Sequence, residues 1–340
     1  MLDTVVAGMA FGAALAASGM YSPYLIASQF TFERWNMVQT FLTATGCTAL
    51  SVQILHSLRY QVPPPRSYSS AGLLSFSLDG NVIGGAMLGA GMSLAASCPG
   101  MVFPQVALGV PSALTTLAGA SVGGMLWSTV LRPFIAARQQ RGSAAKATKT
   151  KAGTPPPPKT LAQLFGTGRV ATLVSYEVLL GAAVATAASK ATSAPSALHP
   201  VAGGLAIGAA QLISLLLRGS LVGVSTCYEH LGDWALYLVR GLKGPRPATA
   251  ALLFAASMSS GAWLLARERP DLTATAAGMA VYIAPWKAFW GGLLMAMGSR
   301  LGGGCSSGHG ISGMGLMSVS SFVSMFATFA AAIAVSRLSA

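Results

Sequence analysis

Charge is what this sequence has least of. Asp, Glu, Lys and Arg make up 9% of its 340 residues, against about 25% in an ordinary soluble domain. Hydrophobic residues reach 53% and glycine adds 40 positions; mean hydropathy is +0.61. A soluble fold of this size could not cover its surface with so few charges. Cysteine is scarce too: Cys47, Cys98, Cys227 and Cys305. No two are close in sequence, so no CxxC zinc or redox signature exists. All four lie in apolar segments, which argues against a secreted disulfide framework. Walker A, GxGxxG after a strand, GxSxG and HExxH patterns are missing, as are acid pairs with glycosidase-like spacing. The reading is therefore not an enzyme, with no metal and no cofactor.

The net charge of +13 invites a nucleic-acid reading, but its distribution opposes one. Eight of the 21 basic residues lie between Arg132 and Arg169, with no acid among them. A basic segment between apolar blocks reads as a cytoplasmic loop or a contact with anionic lipid. No RNA- or DNA-binding motif accompanies it.

What is present is a series of long charge-poor runs, and about 20 apolar residues cross a bilayer as a helix. Spans are expected near 4–20, 37–57, 80–97, 105–131, 170–191, 201–218, 247–266, 276–297 and 311–336. The shorter pieces 21–32 and 221–239 are expected to be re-entrant, buried in protein or lining a wet cavity. The first run follows Met1-Leu2-Asp3 without a positive n-region, so it reads as a retained span rather than a cleaved signal peptide. The linker 138–160, with Pro155 to Pro158 and six Lys or Arg, is expected to be disordered.

The two halves repeat. Gly84-Gly85, Gly91, Leu94 and Cys98 match Gly291-Gly292, Gly298, Leu301 and Cys305 at a constant offset of 207 residues. Gly8 and Gly12 parallel Gly204 and Gly208; Gly19, Ser22 and Tyr24 resemble Gly223, Ser225 and Tyr228. Four helices on each side of the extra helix 170–191 would invert the second repeat relative to the first. Such a topology puts Arg59, Arg66, 132–169 and the run Arg240, Lys243, Arg246 on the cytoplasmic side. The fold class is therefore all-α integral membrane, with about nine transmembrane helices in two inverted repeats and broken or re-entrant helices. Its parts are a first membrane repeat 1–131, a basic Pro-rich linker 132–169, a connecting helix 170–200 and a second repeat 201–340.

Two breaks interrupt the repeats. Five of the nine residues from Gly302 to Gly310 are glycine, each costing a helix about 1 kcal/mol relative to alanine. The backbone should unwind there and expose N–H groups to an anion. Gly304, Cys305, Ser306, Gly308 and His309 are thus candidate binding residues. In the first half, Pro99 interrupts Ser97-Cys98-Pro99-Gly100 and adds Cys98, Pro99 and Gly100. Close helix packing explains most of the other glycines. Cys227, in the second re-entrant piece, reaches the centre or is a small buried hydrophobe; Cys47, mid-helix, reads as the latter. Glu229, His230 and Asp233 share one helical turn, as a proton-handling site or as part of the cytoplasmic interface. Lys287 and Arg300 are candidate anion attractors, Lys287 equally an interfacial anchor beside Trp286 and Trp290. His309 stands four residues after Cys305, a Cys–His spacing that a glycine loop leaves without fixed geometry.

Gly302 to Gly313 resembles the signature of the YeeE/YedE sulfur-transport family. Gly84 to Cys98 looks like its first-half motif, and Gly223 to Tyr228 like its central one. The resemblance covers most of the chain apart from 132–169. It implies a plasma (inner) membrane permease for a sulfur compound, thiosulfate foremost, with Cys98, Cys227 and Cys305 lining the route. Such chemistry suits a dianion with a soft terminal sulfur. A neutral S–H is a weak donor that adds no repulsion, and weak successive contacts let an ion enter and leave. An alternative is a membrane sulfurtransferase carrying a persulfide on one cysteine, or transport of another sulfur or selenium species. The basic linker, a departure from the bacterial pattern, would suit recruitment of a cytosolic sulfur-handling protein.

Overall fold

The computed structural model describes residues 1–74, 76–147, 157–190, 198–277 and 281–339. Its helices in order are α1 (Leu2–Ala17), α2 (Pro23–Phe30), α3 (Asn36–Ser57), α4 (Asp79–Ala95), α5 (Val102–Ala107), α6 (Ala113–Leu126) and α7 (Arg132–Ala147). There follow α8 (Leu161–Phe165), α9 (Arg169–Ser189), α10 (Pro200–Arg218), α11 (Thr226–Val239) and α12 (Ala250–Glu268). The chain ends with α13 (Asp271–Ala277), α14 (Pro285–Leu301) and α15 (Val319–Ser339). Trp127–Leu131 and Ser307–Gly313 are π-helical. Among the described residues there is no strand, only an isolated bridge between Thr160 and Ser318.

Six helical segments are long and apolar enough to cross a membrane: Asn36–Ser57, Ala113–Gln139, Arg169–Ser189, Pro200–Arg218, Ala250–Glu268 and Val319–Leu338. The protein is a multi-pass integral membrane protein. Helices α4 and α14 have 17 residues each, about 26 Å, a little short of a hydrocarbon core of about 30 Å. Three expected spans move. The run 276–297 does not form one helix: its first two residues end α13, 281–284 are non-helical, and α14 starts at Pro285, a residue suited to a first turn. The run 105–131 divides where Gly109 takes φ +70. The run 311–336 starts late because Ser307–Gly313 is π-helical. The disorder expected over 138–160 does not hold for 138–147, which continue α7; residues 148–156 of that linker lie outside the described residues.

Helices 17 to 22 residues long must pack without water-driven association, so close backbone approach matters most. Here glycine provides it. A Cβ at Gly84 would lie 2.6 Å from the Gly298 carbonyl oxygen, and one at Gly298 2.6 Å from the Gly84 oxygen. Likewise a Cβ at Gly91 would lie 2.5 Å from the Gly291 oxygen, and one at Gly291 2.8 Å from the Gly91 oxygen. The early end of α4 thus meets the late end of α14, so the two run antiparallel. Gly85 faces Ser324 and Gly89 faces Thr328, so α15 runs with α4. Gly119 faces Phe289 and Gly123 faces Leu293, so α6 runs with α14. Around this central four, α1 packs on α12 through Gly12 and Met258, and α3 packs on α10 through Cys47 and Gly208. Buried threonines cause no polar deficit, because Thr40, Thr45, Thr48 and Thr116 return their hydroxyl protons to the carbonyl one turn back.

Helix α9 stands apart. Leu173, Tyr176 and Leu180 pack towards Ala49 and Met317, while Val170, Val174, Val178 and Leu179 are exposed, as a lipid-facing surface should be. A matched pair of variants tests the packing. Gly12→Ala places a methyl 2.0 Å from the Met258 oxygen, whereas Gly181→Ala meets nothing within 4 Å. Thermal unfolding in detergent is expected to fall for Gly12→Ala, by about 1–3 kcal/mol of stability, and to stay level or rise for Gly181→Ala.

Candidate functional site

Both breaks form as local strain predicts. Helix α4 ends with Ala96 in the left-handed region at φ +44, and the chain then turns through Cys98 and Pro99. Helix α14 ends at Leu301, and Gly303 takes φ +82, a conformation glycine adopts without cost. Because α4 and α14 are antiparallel, the two turns approach the middle from opposite ends of the molecule. The Gly223–Cys227 segment, ahead of and entering α11, joins them. Tyr228 donates its hydroxyl to the Pro99 carbonyl at 2.7 Å. A Cβ on Gly100 would lie 3.5 Å from Val224 and 3.8 Å from the Ser307 hydroxyl.

The three thiol-bearing segments therefore meet at one place. Cys98, Cys227 and Cys305 are buried and free. Cys98, Gly100, Ser306 and Ser307 line a narrow cavity of about 30 Å³ whose remaining walls include Met92 and Phe41. That is room for about one water. The Ser306 hydroxyl reaches the Cys98 thiol. One layer further, Cys305 Sγ lies 3.2 Å from the Ser307 hydroxyl. Backbone N–H groups of Val224, Ser225 and Gly308 face that sulfur. Cys227 lies within electrostatic range of Cys305 and Arg300. The arrangement offers soft sulfur and neutral N–H or O–H donors, a set that can hold an anion by weak contacts. Cys47 is elsewhere, between α3 and α10.

His309 is buried but does not address Cys305. Its Nε2 lies 3.0 Å from the Gly302 carbonyl, which can only accept, so Nε2 carries the proton and Nδ1 accepts from Ser321 at 3.0 Å. The imidazole clamps the glycine turn. A Cβ on Gly304 would lie 2.9 Å from the His309 ring and 3.1 Å from the Arg66 guanidinium, and one on Gly308 3.2 Å from that guanidinium, so both glycines let these side chains approach closely.

The candidate cations separate. Lys287 is in the first turn of α14, its ammonium 5.8 Å from the Trp286 ring centre. That is about 20 Å along the helix from Arg300, so Lys287 is not at the thiol cluster. Arg300 pairs with Glu229 and lies 3.4 Å from the Thr226 hydroxyl. Arg132 meets Glu229 at 2.9 Å and Asp233 at 2.8 Å. The acids on α11 thus form an ion-pair clamp that ties α11 to the start of α7 and the end of α14, with two cations for two carboxylates.

Sequence reasoning missed the residues that fold the 58–78 loop over the Cys305 turn. The Asp79 carboxylate accepts from the N–H groups of Ala71 and Leu73, both at 2.7 Å, and of Leu74 at 3.0 Å. Asn81 accepts from Ser69 at 2.8 Å and donates to Gly302 at 3.0 Å. Gln211 accepts from Val222 at 2.7 Å and donates to Ser312 at 2.6 Å. Asp79 and Asn81 share the first turn of an otherwise apolar helix and Gln211 is the one amide of another, the signal available. The loop delivers Arg66, whose Nη1 donates to Gly303 at 3.0 Å. Asp79→Ala should therefore cost about 2 kcal/mol or more and expose 58–78 to protease, both measurable on purified protein.

Comparison with known proteins gives the family. The sulphur transport family matches residues 17–334, nearly the whole chain and all three thiol segments. A "Probable transporter" of Xylella fastidiosa (strain Temecula1 / ATCC 700964) is 30% identical over 128 residues, 37% of this chain and 82% of that protein. A "Probable transporter" of Xylella fastidiosa (strain 9a5c) is 29% identical over 128 residues with the same coverage. The chain belongs to the sulphur transport family and is a sulfur-related membrane transporter.

Proposed function

We propose that the protein is a permease that imports thiosulfate past Cys98, Cys305 and Cys227. The observation that carries this reading is the meeting of three thiol-bearing segments: the Cys98 and Cys305 turns, helix breaks from opposite ends, share one narrow cavity, and the Cys227 segment packs against both. Thiosulfate joins a soft sulfur to a hard oxyanion. Thiols and Met92 suit the first; the hydroxyls of Ser306 and Ser307 suit the second. No fixed charge lines the narrow cavity, which favours passage over storage.

The architecture we infer is nine membrane-inserted helices in two inverted repeats. The six long spans are joined by α1, α4 and α14, and the turns at Cys98 and Cys305 complete the last two. The glycine contacts support the repeat. Gly84 and Gly91 correspond to Gly291 and Gly298, and the observed pairs are Gly84 with Gly298 and Gly91 with Gly291. Swapping the halves turns one pair into the other, the behaviour of a two-fold relation. The Xylella relatives add weight, because a match of 128 residues that is 82% of such a protein makes it under half this chain's length. The basic end then faces the cytoplasm by the positive-inside rule.

The sulfurtransferase alternative would need a base near a nucleophilic thiol. Both His309 nitrogens are engaged away from Cys305, which favours the permease.

Uptake of labelled thiosulfate into proteoliposomes tests the reading. Wild type is expected to import it in the presence of excess sulfate. Cys305→Ala, folded and reconstituted equally well, is expected to lose at least nine-tenths of that uptake, about 1.4 kcal/mol or more. Full uptake by the variant would contradict the proposed site.

A further inference from the structure

Arg66 stands where the thiol cluster meets a large cavity at the basic end. That cavity, about 870 Å³, is lined by Pro63 to Arg66, Arg218, Ser220, Gly303 and Ser312 among others. The guanidinium closes its inner wall. A Cβ on Gly304 would lie 3.1 Å from Nη1, one on Gly308 3.2 Å from Nη2, and one on Gly223 3.7 Å from Nη2. The Gly308 position is itself 3.8 Å from Cys305 Sγ. Arg66 therefore touches both glycine turns that surround the Cys305 sulfur.

Its charge is left over. Arg132 and Arg300 are matched by Glu229 and Asp233, but among the described residues no carboxylate pairs with Arg66. Its Nη1 has the Gly303 carbonyl, while its Nε is buried without a partner. A guanidinium has five N–H donors, and leaving a buried donor unmet is unfavourable. The backbone holds the residue in place independently of the side chain: its N–H donates to Ser318 at 2.9 Å and its carbonyl accepts from Ser320 at 3.1 Å. A fixed backbone, a guanidinium with a single carbonyl partner among the described residues, and an open cavity on one side form an oxyanion receptor.

We propose that Arg66 receives the sulfonate oxygens of the ion as its terminal sulfur leaves Cys305, and so sets selectivity at the cytoplasmic mouth. The inference rests on the thiosulfate reading above and adds a specificity residue to it. Sulfide has no oxygens for the guanidinium; sulfate has no soft sulfur for the thiols; thiosulfate satisfies both. The Gly303 carbonyl competes for Nη1, so one arginine holds the dianion without trapping it.

The test uses full-length protein in proteoliposomes and initial rates across thiosulfate concentrations. Arg66→Gln is expected to raise KM about tenfold or more with a smaller change in maximal rate. Arg66→Lys, which keeps the charge but not the fork, should recover part of the loss. An unchanged KM in Arg66→Gln, or equal loss in both variants, overturns the role. A measurement on wild type covers the case of a misfolded variant. A neutral dicarbonyl reagent modifies arginines, and mass spectrometry reads Arg66. Thiosulfate should slow that modification; no protection overturns the proposal. Wild type that imports thiosulfate while Arg66→Gln keeps its KM defeats the Arg66 role alone. Wild type that imports none defeats the permease reading and this inference with it.

Discussion

The structure depends on backbone-to-backbone contact between α4 and α14. Gly84, Gly91, Gly291 and Gly298 admit the partner's carbonyl oxygens where any side chain would collide. In a bilayer, lipid tails are as apolar as leucine, so helices associate by close fit rather than by expulsion of water. The contact does more than hold two helices. It sets them antiparallel and in full overlap, so their broken ends lie at opposite ends of the pair and the turn after each leads back towards the middle. Were the helices a side chain's width further apart, the Cys98 and Cys305 turns would not share a cavity. The second row of contacts, Gly85 and Gly89 on α15 and Gly119 and Gly123 on α14, fixes the central four as a unit.

Breaking helices at membrane depth leaves backbone groups that lipid cannot satisfy. Side chains from distant parts of the chain answer this need. Asn81 and His309 bond the Gly302 carbonyl, Arg66 the Gly303 carbonyl, and Tyr228 the Pro99 carbonyl. Gln105 bonds Ser97 at 2.6 Å and the Ala96 carbonyl at 3.3 Å. The N–H groups of Val224, Ser225 and Gly308 are directed at the Cys305 sulfur, so side chains meet the carbonyl side of the turns while the donor side gathers around one thiol.

Much of this was legible in the sequence, and the reason is solvent. Lipid demands long apolar runs, so runs without charge announce helices, and glycine or proline within them announces breaks. The 207-residue offset made the Gly84 and Gly291 segments comparable before their contact was known. Helix starts were less legible. Pro285 and Val319 begin helices inside or after continuous apolar runs because hydropathy does not record a turn. Arg66 was read only as a loop charge, since its place is set by Asp79, Asn81 and Ser318, the last 252 residues away. The acids on α11 kept two readings open until Arg132 and Arg300 were found across from them. Lys287 and Arg300 share one helix, yet its length puts them at opposite ends.

The central claim is that the two breaks belong to one route entered from opposite faces. Side-resolved thiol labelling tests it most directly. In vesicles of known orientation turning over thiosulfate, a membrane-impermeant thiol reagent is applied from one face at a time, and mass spectrometry locates the adducts. The account predicts that Cys98 is modified from the outer face and Cys305 from the cytoplasmic face. Modification of both cysteines from the same face, and neither from the other, would contradict it.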